Sequence, residues 1–198
     1  MTPIFTMRYA SPCGEMLLAS RAGRLCLCDW AKRGESSAPL RRLRSAFRTE
    51  CVDVAESSRQ SGEGTVAGEQ ASRAVLTAAL QQLDEYFDGR RKAFDIPLLH
   101  VGTAFQQRVW EALPAVPYGT TVSYGDLSAR LGRREAVRAV AGAVGANAIS
   151  IFVPCHRIVG SDGTLTGYAG GIEVKRFLLA LEGASLVTKK RKLTYTNS

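Results

Sequence analysis

Histidine is scarce in this chain: His100 and His156 are the two in 198 residues. Imidazole chemistry therefore has at most two addresses. Long apolar runs are also missing. No stretch approaches the roughly 20 apolar residues that span a bilayer, which excludes an ordinary transmembrane helix and any membrane role through one. Met1-Thr2-Pro3-Ile4 lacks the charged start and apolar run of a secretory leader. Cytoplasmic placement is expected, or nuclear placement in a eukaryote. Cysteine is sparse and odd in number, at Cys13, Cys26, Cys28, Cys51 and Cys155. That is a poor disulfide framework and suits a reducing compartment. Cys13, Cys26 or Cys28, and His100 match no zinc-ligand spacing, so no metal is expected. Acidic residues are outnumbered, 18 against 26 Lys and Arg, for a net charge of +8. Such a surface favours polyanions, nucleic acid first among them, although a merely soluble basic protein has the same charge.

What is present centres on Ile151-Phe152-Val153-Pro154-Cys155-His156-Arg157-Ile158-Val159. An apolar run carries the chain inward, and Pro154 stiffens its end. A soft nucleophile, a titratable base and a fixed cation follow. Polar groups set into an apolar run cost folding energy unless they are paired or functional. On the pattern alone, a buried inert thiol is as good a reading as a reactive one. Neighbouring side chains of an extended segment point to opposite faces, so His156 need not touch the sulfur.

Residues 4–10, 16–20 and 25–30 read as short strands separated by turns. A helix is expected over 38–47, a loop over 57–64, and a clearer helix over 71–87, where Leu76, Leu80, Leu83 and Phe87 recur at helical spacing. Residues 94–98 suit a last strand or an extended linker. These pieces form an α/β unit over 1–98 with a small antiparallel sheet, and they carry no chemical constellation of their own.

The second half, 99–186, reads as mainly helical. Thr103-Ala104-Phe105-Gln106 has the form of a capping box. Phe105, Val109 and Leu113 line the helix it opens, and Pro114 and Pro117 end it. Ser123-Tyr124-Gly125-Asp126 opens a second helix, with Leu127 and Leu131 inward and Gly132 as its stop. A third is expected over 134–146. Two helices joined by so short a turn make a helix-turn-helix candidate. Val137, Val140 and Val144 form the third helix's buried stripe, with Arg134, Arg138, Gly142 and Gly145 opposite. Two glycines on one helical face, at up to about 1 kcal/mol each, suggest close approach of something large. Packing on another helix of the same chain is the alternative. A last helix carries Val174, Phe177, Leu178 and Leu181, and ends at Glu182. The basic segment 187–198 reads as a tail.

Asn147, Pro154-Cys155-His156-Arg157, Gly167-Tyr168-Ala169-Gly170-Gly171 and Leu178-Leu179-Ala180-Leu181-Glu182-Gly183 occur in an order and spacing that resemble the O6-alkylguanine-DNA alkyltransferases. Ser11-Pro12-Cys13-Gly14 and Leu25-Cys26-Leu27-Cys28-Asp29-Trp30 resemble that family's opening hairpin. The resemblance implies an RNase H-like scaffold followed by a winged-helix-like DNA-binding half. It implies irreversible transfer of a methyl or other alkyl group from O6 of guanine, and O4 of thymine, to Cys155. His156 would act as base through a bridging water, Glu182 would hold the imidazole, and Asn147 would support both segments. Tyr124 would donate to N3 of guanine and crowd the 3′ phosphate. Tyr168 would pack beside the alkyl group, the Ala169 N–H would donate to O6, and the carbonyls of Cys155 and Ile158 would read the exocyclic amine. Arg138 would fill the gap left by a flipped nucleotide, entered through the minor groove, with Arg133 and Ser161 on phosphates. The implied partner is double-stranded DNA bound by a monomer, with cooperativity open, and the implied cofactor is none. Ala148 and Ser150 depart from the family, where many or some members have proline, which leaves a wider or a more polar alkyl pocket open and with it the preference for methyl or bulkier groups.

Overall fold

The structure is a computed structural model and describes residues 2–31, 38–55 and 67–185. The expected loop at 57–64 and the basic tail lie outside the described residues. Three strands, β1 (Ile4–Ser11), β2 (Gly14–Arg21) and β3 (Arg24–Trp30), form an antiparallel meander. A fourth, β4 (Cys51–Asp53), adds in parallel beside β1, giving the order β3-β2-β1-β4. The sheet is therefore mixed rather than wholly antiparallel. Three half-buried residues without alternation leave no readable strand pattern in the sequence.

Helix α1 spans Ala38–Phe47, as its sequence suggests, and α2 spans Ala67–Phe87, starting earlier than expected. The buried face of α2 is Leu76, Ala79, Leu83 and Tyr86, while Leu80 and Phe87 are half-buried at its margin. This small rotation turns the tyrosine hydroxyl inward. Residues 94–98 are an extended linker touching the sheet at one bridge, Leu25 to Leu98. The Leu25 N–H donates to the Pro97 carbonyl (2.8 Å) and the Leu99 N–H to the Leu25 carbonyl (2.8 Å). Pro97 has no N–H to extend this pairing.

In the second half, α3 (Ala104–Ala112) begins with a complete capping box. The Gln106 N–H donates to Thr103 Oγ1 (3.2 Å), and the Thr103 N–H donates to Gln106 Oε1 (3.0 Å). Fully buried Trp110 donates from its indole to the Ala143 carbonyl (2.7 Å), tying α3 to the following helices. Strand β5 (Val122–Ser123) leads into α4 (Tyr124–Arg130), capped by Ser123. After Gly132 a tight turn over Arg134–Ala136 precedes α5 (Val137–Gly145), so the regular helix is shorter than its apolar periodicity suggests. Its buried residues are Val140, Ala143 and Val144, and Val137 is half-buried. Strand β6 (Ile158–Val159) pairs in parallel with β5, and α6 (Ile172–Leu181) closes the fold.

The halves share one core. The exposed edge of β3 is covered by the chain that follows α5. The Cys28 N–H donates to the Ala148 carbonyl (2.8 Å), and the Ser150 N–H to the Cys28 carbonyl (2.7 Å). An open strand edge has unpaired backbone groups to satisfy, and here they fix the segment that delivers Cys155. No helix among the described residues is long and apolar enough to cross a membrane.

Candidate active site

Cys155 enters on a bent segment. Ile151, a β-branched and fully buried residue, has φ +73°, a conformation that costs such residues of order 1–3 kcal/mol. Asn147 holds the bend. Its side-chain oxygen accepts from the Ile149 N–H (3.0 Å), and its amide nitrogen donates to the Val153 carbonyl (2.9 Å) and to Cys155 Sγ (3.1 Å). The residue read as a bridge between segments thus also touches the sulfur. A short helical turn, Cys155–Arg157, then carries the chain into β6.

Cys155 is 6% exposed and His156 fully buried. Burial pushes the thiol up, while the Asn147 hydrogen bond and the charge of Lys175 pull it back part of the way. His156 meets Glu182 rather than the sulfur, with Nε2 2.7 Å from Glu182 Oε1. That contact makes Nε2 the protonated nitrogen and leaves Nδ1, buried and without a hydrogen-bond partner among the described residues, as the basic one. Burial holds the imidazole below its ordinary pKa, so it is neutral at pH 7.

Glu182 is a hub. Besides His156 it accepts from the Tyr86 hydroxyl (2.9 Å), the Gly119 N–H (3.1 Å), Arg157 Nε (2.9 Å) and Arg157 Nη2 (3.0 Å). Burial raises the carboxyl, but the hydrogen bonds and charges of His156 first, and then of Arg157, bring it down to about 2. With the imidazole neutral, the guanidinium supplies the standing counter-charge. Gly119 is required here: it has φ +75°, and a Cβ would sit 2.7 Å from the Glu182 carbonyl oxygen.

Beside this centre lies a cleft of about 500 Å³ lined by Tyr124, Ala141, Gly145, Thr166, Gly167, Tyr168 and Ala169, a volume suited to a small planar ligand. Both tyrosines feel the charge of Cys155, and burial raises both. The Tyr168 hydroxyl is buried beside Ser150, and among the described residues neither hydroxyl has a well-formed hydrogen bond. On the outer side of α5, a Cβ added at Gly142 or Gly145 would meet nothing within 4 Å. That answers the alternative of internal helix packing. Arg133, Arg138 and Ser161 are exposed.

The structure therefore brings Cys155, His156, Glu182 and Asn147 together and sets Tyr124, Tyr168 and Ala169 around a neighbouring cleft. The Ile158 carbonyl, expected to read the exocyclic amine, already accepts from Lys175 Nζ (2.5 Å). Sequence reasoning missed Tyr86, Gly119 and Lys175, and gave Arg157 no role. Tyr86 had no signal, since its partner lies in the other half. Lys175 had one: with Leu178, Leu179 and Glu182 it follows the i, i+3, i+4, i+7 spacing of a buried face. The last helix packs through Lys175, Leu178 and Leu179, while Val174 is half-buried and Phe177 is 40% exposed. Among the described residues no group of three or more His, Cys, Asp or Glu is gathered as a metal site requires.

Two family descriptions match the chain: the ribonuclease-like domain of 6-O-methylguanine DNA methyltransferase over residues 4–99, and its DNA binding domain over residues 104–184. A methylated-DNA–protein-cysteine methyltransferase of Haemophilus influenzae is 38% identical over 190 residues, covering 96% of this chain and 92% of the relative. The constitutive Bacillus subtilis enzyme is 52% identical over 115 residues, 58% of this chain and 70% of its own. The crystal structure of Mycobacterium tuberculosis O6-methylguanine methyltransferase superposes with a TM-score of 0.68 at 35% identity, covering 96% of this chain and 97% of that one. A structure of the same organism's protein in complex with DNA gives 0.68 at 37% identity, over 91% and 92%. A thiol, a carboxylate-held imidazole and these full-length similarities converge: the chain belongs to the methylated-DNA–protein-cysteine methyltransferases.

Proposed function

We propose that this protein repairs duplex DNA by moving a methyl or larger alkyl group from O6 of guanine, and from O4 of thymine, onto Cys155. The observation that carries the mechanism is the pairing of a sulfur held by Asn147 with a neutral imidazole whose far nitrogen is fixed on Glu182. The thiol proton passes through a bridging water to His156 Nδ1, and Glu182 stabilises the imidazolium that forms. The thiolate attacks the alkyl carbon, a C–S bond forms and the C–O bond breaks. Tyr124 neutralises the departing guanine by donating to N3. Tyr168 packs the alkyl group, and the Ala169 N–H and the Cys155 and Ile158 carbonyls orient the base.

A base inside a duplex cannot reach this sulfur, so the nucleotide is turned out at a cost of a few kcal/mol. The open Gly142 and Gly145 face of α5 suits close minor-groove approach. Arg138 fills the stack, and Arg133 and Ser161 hold phosphates. The thioether has no route of removal in this site, so each monomer acts once and needs no cofactor.

Mixing with duplex containing O6-methylguanine is expected to add one methyl mass to the Cys155 peptide. No gain would leave a protein that binds lesions without repairing them, and would reject the transfer. Arg138→Ala is expected to slow repair of duplex more than transfer from a free O6-alkylguanine. Equal loss on both would remove its role in flipping.

A further inference from the structure

We propose that a second cavity, set against the Cys155 turn, is an effector site for a small hydrophobic carboxylate, and that its occupancy slows the transfer. The cavity holds about 330 Å³ and draws its lining from both halves of the chain. The linker contributes Phe94 and Ile96, the chain after α3 contributes Pro114 and Pro117, and the active-site segment contributes Phe152 and Pro154. The rings of Phe94 and Phe152 pack with centroids 4.6 Å apart. This lining shares no residue with that of the base cleft.

The charged residues of the lining are Lys92 and Arg157, and no carboxylate stands among them. Lys92 Nζ and Arg157 Cζ each lie 5.7 Å from the centre of the Tyr118 ring, whose face offsets part of their charge. Lys92 is exposed, and among the described residues it has no carboxylate partner. Arg157 is buried. Its Nε and Nη2 are held by Glu182 and its Nη1 by the Val116 carbonyl (2.7 Å), and each Nη has a second N–H to give. A positive field within apolar walls selects an anion with an apolar body. A carboxylate reaching Lys92 and Arg157, with its hydrocarbon against Phe94, Pro117 and Phe152, meets both demands. The volume admits one molecule of modest size.

Arg157 and Pro154 connect this site to the reaction, since they flank Cys155 and His156 in the chain. A second carboxylate on Arg157 competes with Glu182 for the same guanidinium. Glu182 is the group that fixes His156 Nε2 (2.7 Å). Loosening it leaves the imidazole less well held, so the occupied protein is the slower one.

Isothermal titration calorimetry of the whole protein with phenylbutyrate reads the site without DNA, so a failure here is distinguishable from a failure of alkyl transfer. Phenylbutyrate is expected to bind, and phenylbutyramide, which keeps the shape and loses the charge, at least about tenfold more weakly. Lys92→Glu is expected to weaken binding about tenfold. Ala93→Trp adds bulk at an exposed position of the lining and is expected to abolish it. Without ligand, both variants should transfer from saturating duplex at the wild-type rate. Saturating phenylbutyrate is expected to slow single-turnover transfer by the wild type several-fold and to leave Ala93→Trp unaffected. Equal affinity for acid and amide, or wild-type affinity in both variants, overturns the site, as does no binding at all. Binding that leaves the transfer rate unmoved overturns its effector role.

Discussion

Glu182→Gln removes one charge and almost no volume, and two lines of reasoning set its cost. Arg157 is 5% exposed and makes two of its hydrogen bonds to this carboxylate. Breaking a buried pair from one side leaves the other charge uncompensated, at about 3–5 kcal/mol. In the same direction, a carboxyl lowered from 4.5 to about 2 by His156 and Arg157 together corresponds to about 3 kcal/mol of stability at neutral pH. Urea unfolding at pH 7 is therefore expected to show a loss of about 3 kcal/mol. Because the folded pKa lies below the unfolded one, the contribution is complete above about 4.5 and disappears as pH falls through about 2. The two proteins should converge in stability across that window. The variant also lacks the anion that stabilises protonated His156, so single-turnover transfer is expected to slow by at least about a hundredfold, with DNA affinity retained. Full stability at pH 7 would refute the electrostatic account of the hub. Lost stability with an unchanged transfer rate would confine Glu182 to holding Arg157.

Tyr86→Phe removes the hydrogen bond that reaches Glu182 from the opposite half. Transfer is expected to slow several-fold with its acid limb displaced, while Tyr9→Phe, which removes a hydroxyl bond to Asp84 on the same helix, should leave the pH profile unmoved. Identical profiles for the two variants would make Tyr86 ordinary packing. Gly142→Ala places a methyl group where nothing lies within 4 Å. Thermal unfolding should show a gain of about 0.5–1 kcal/mol, and fluorescence anisotropy should show weaker DNA binding. A gain in both would remove this face from the DNA contact.

The α3 capping box, the Ser123 cap, the stop at Gly132 and the span of α1 were legible because each depends on neighbours within a few residues. Cys155, His156, Asn147 and Glu182 were legible as a set through their resemblance to a family. Their composition alone left a buried inert thiol equally open. Strand β4 was invisible because its reason for being extended is β1, far away in the chain. Of the residues recurring along α2, Leu76 and Leu83 are buried while Leu80 and Phe87 lie at the margin, since helical spacing fixes a stripe but not which residues at its edge meet the core.

By itself the sequence determined the local elements, the reactive motif and the basic surface, because periodicity, capping and charge are properties of adjacent residues. Tertiary structure alone decided that Tyr86, Gly119 and Arg157 converge on Glu182, that β3 pins the segment leading to Cys155, and that Lys175 is buried with two carbonyls. Those contacts join elements distant in the chain, and desolvation and hydrogen-bond partners are set by whatever packs there.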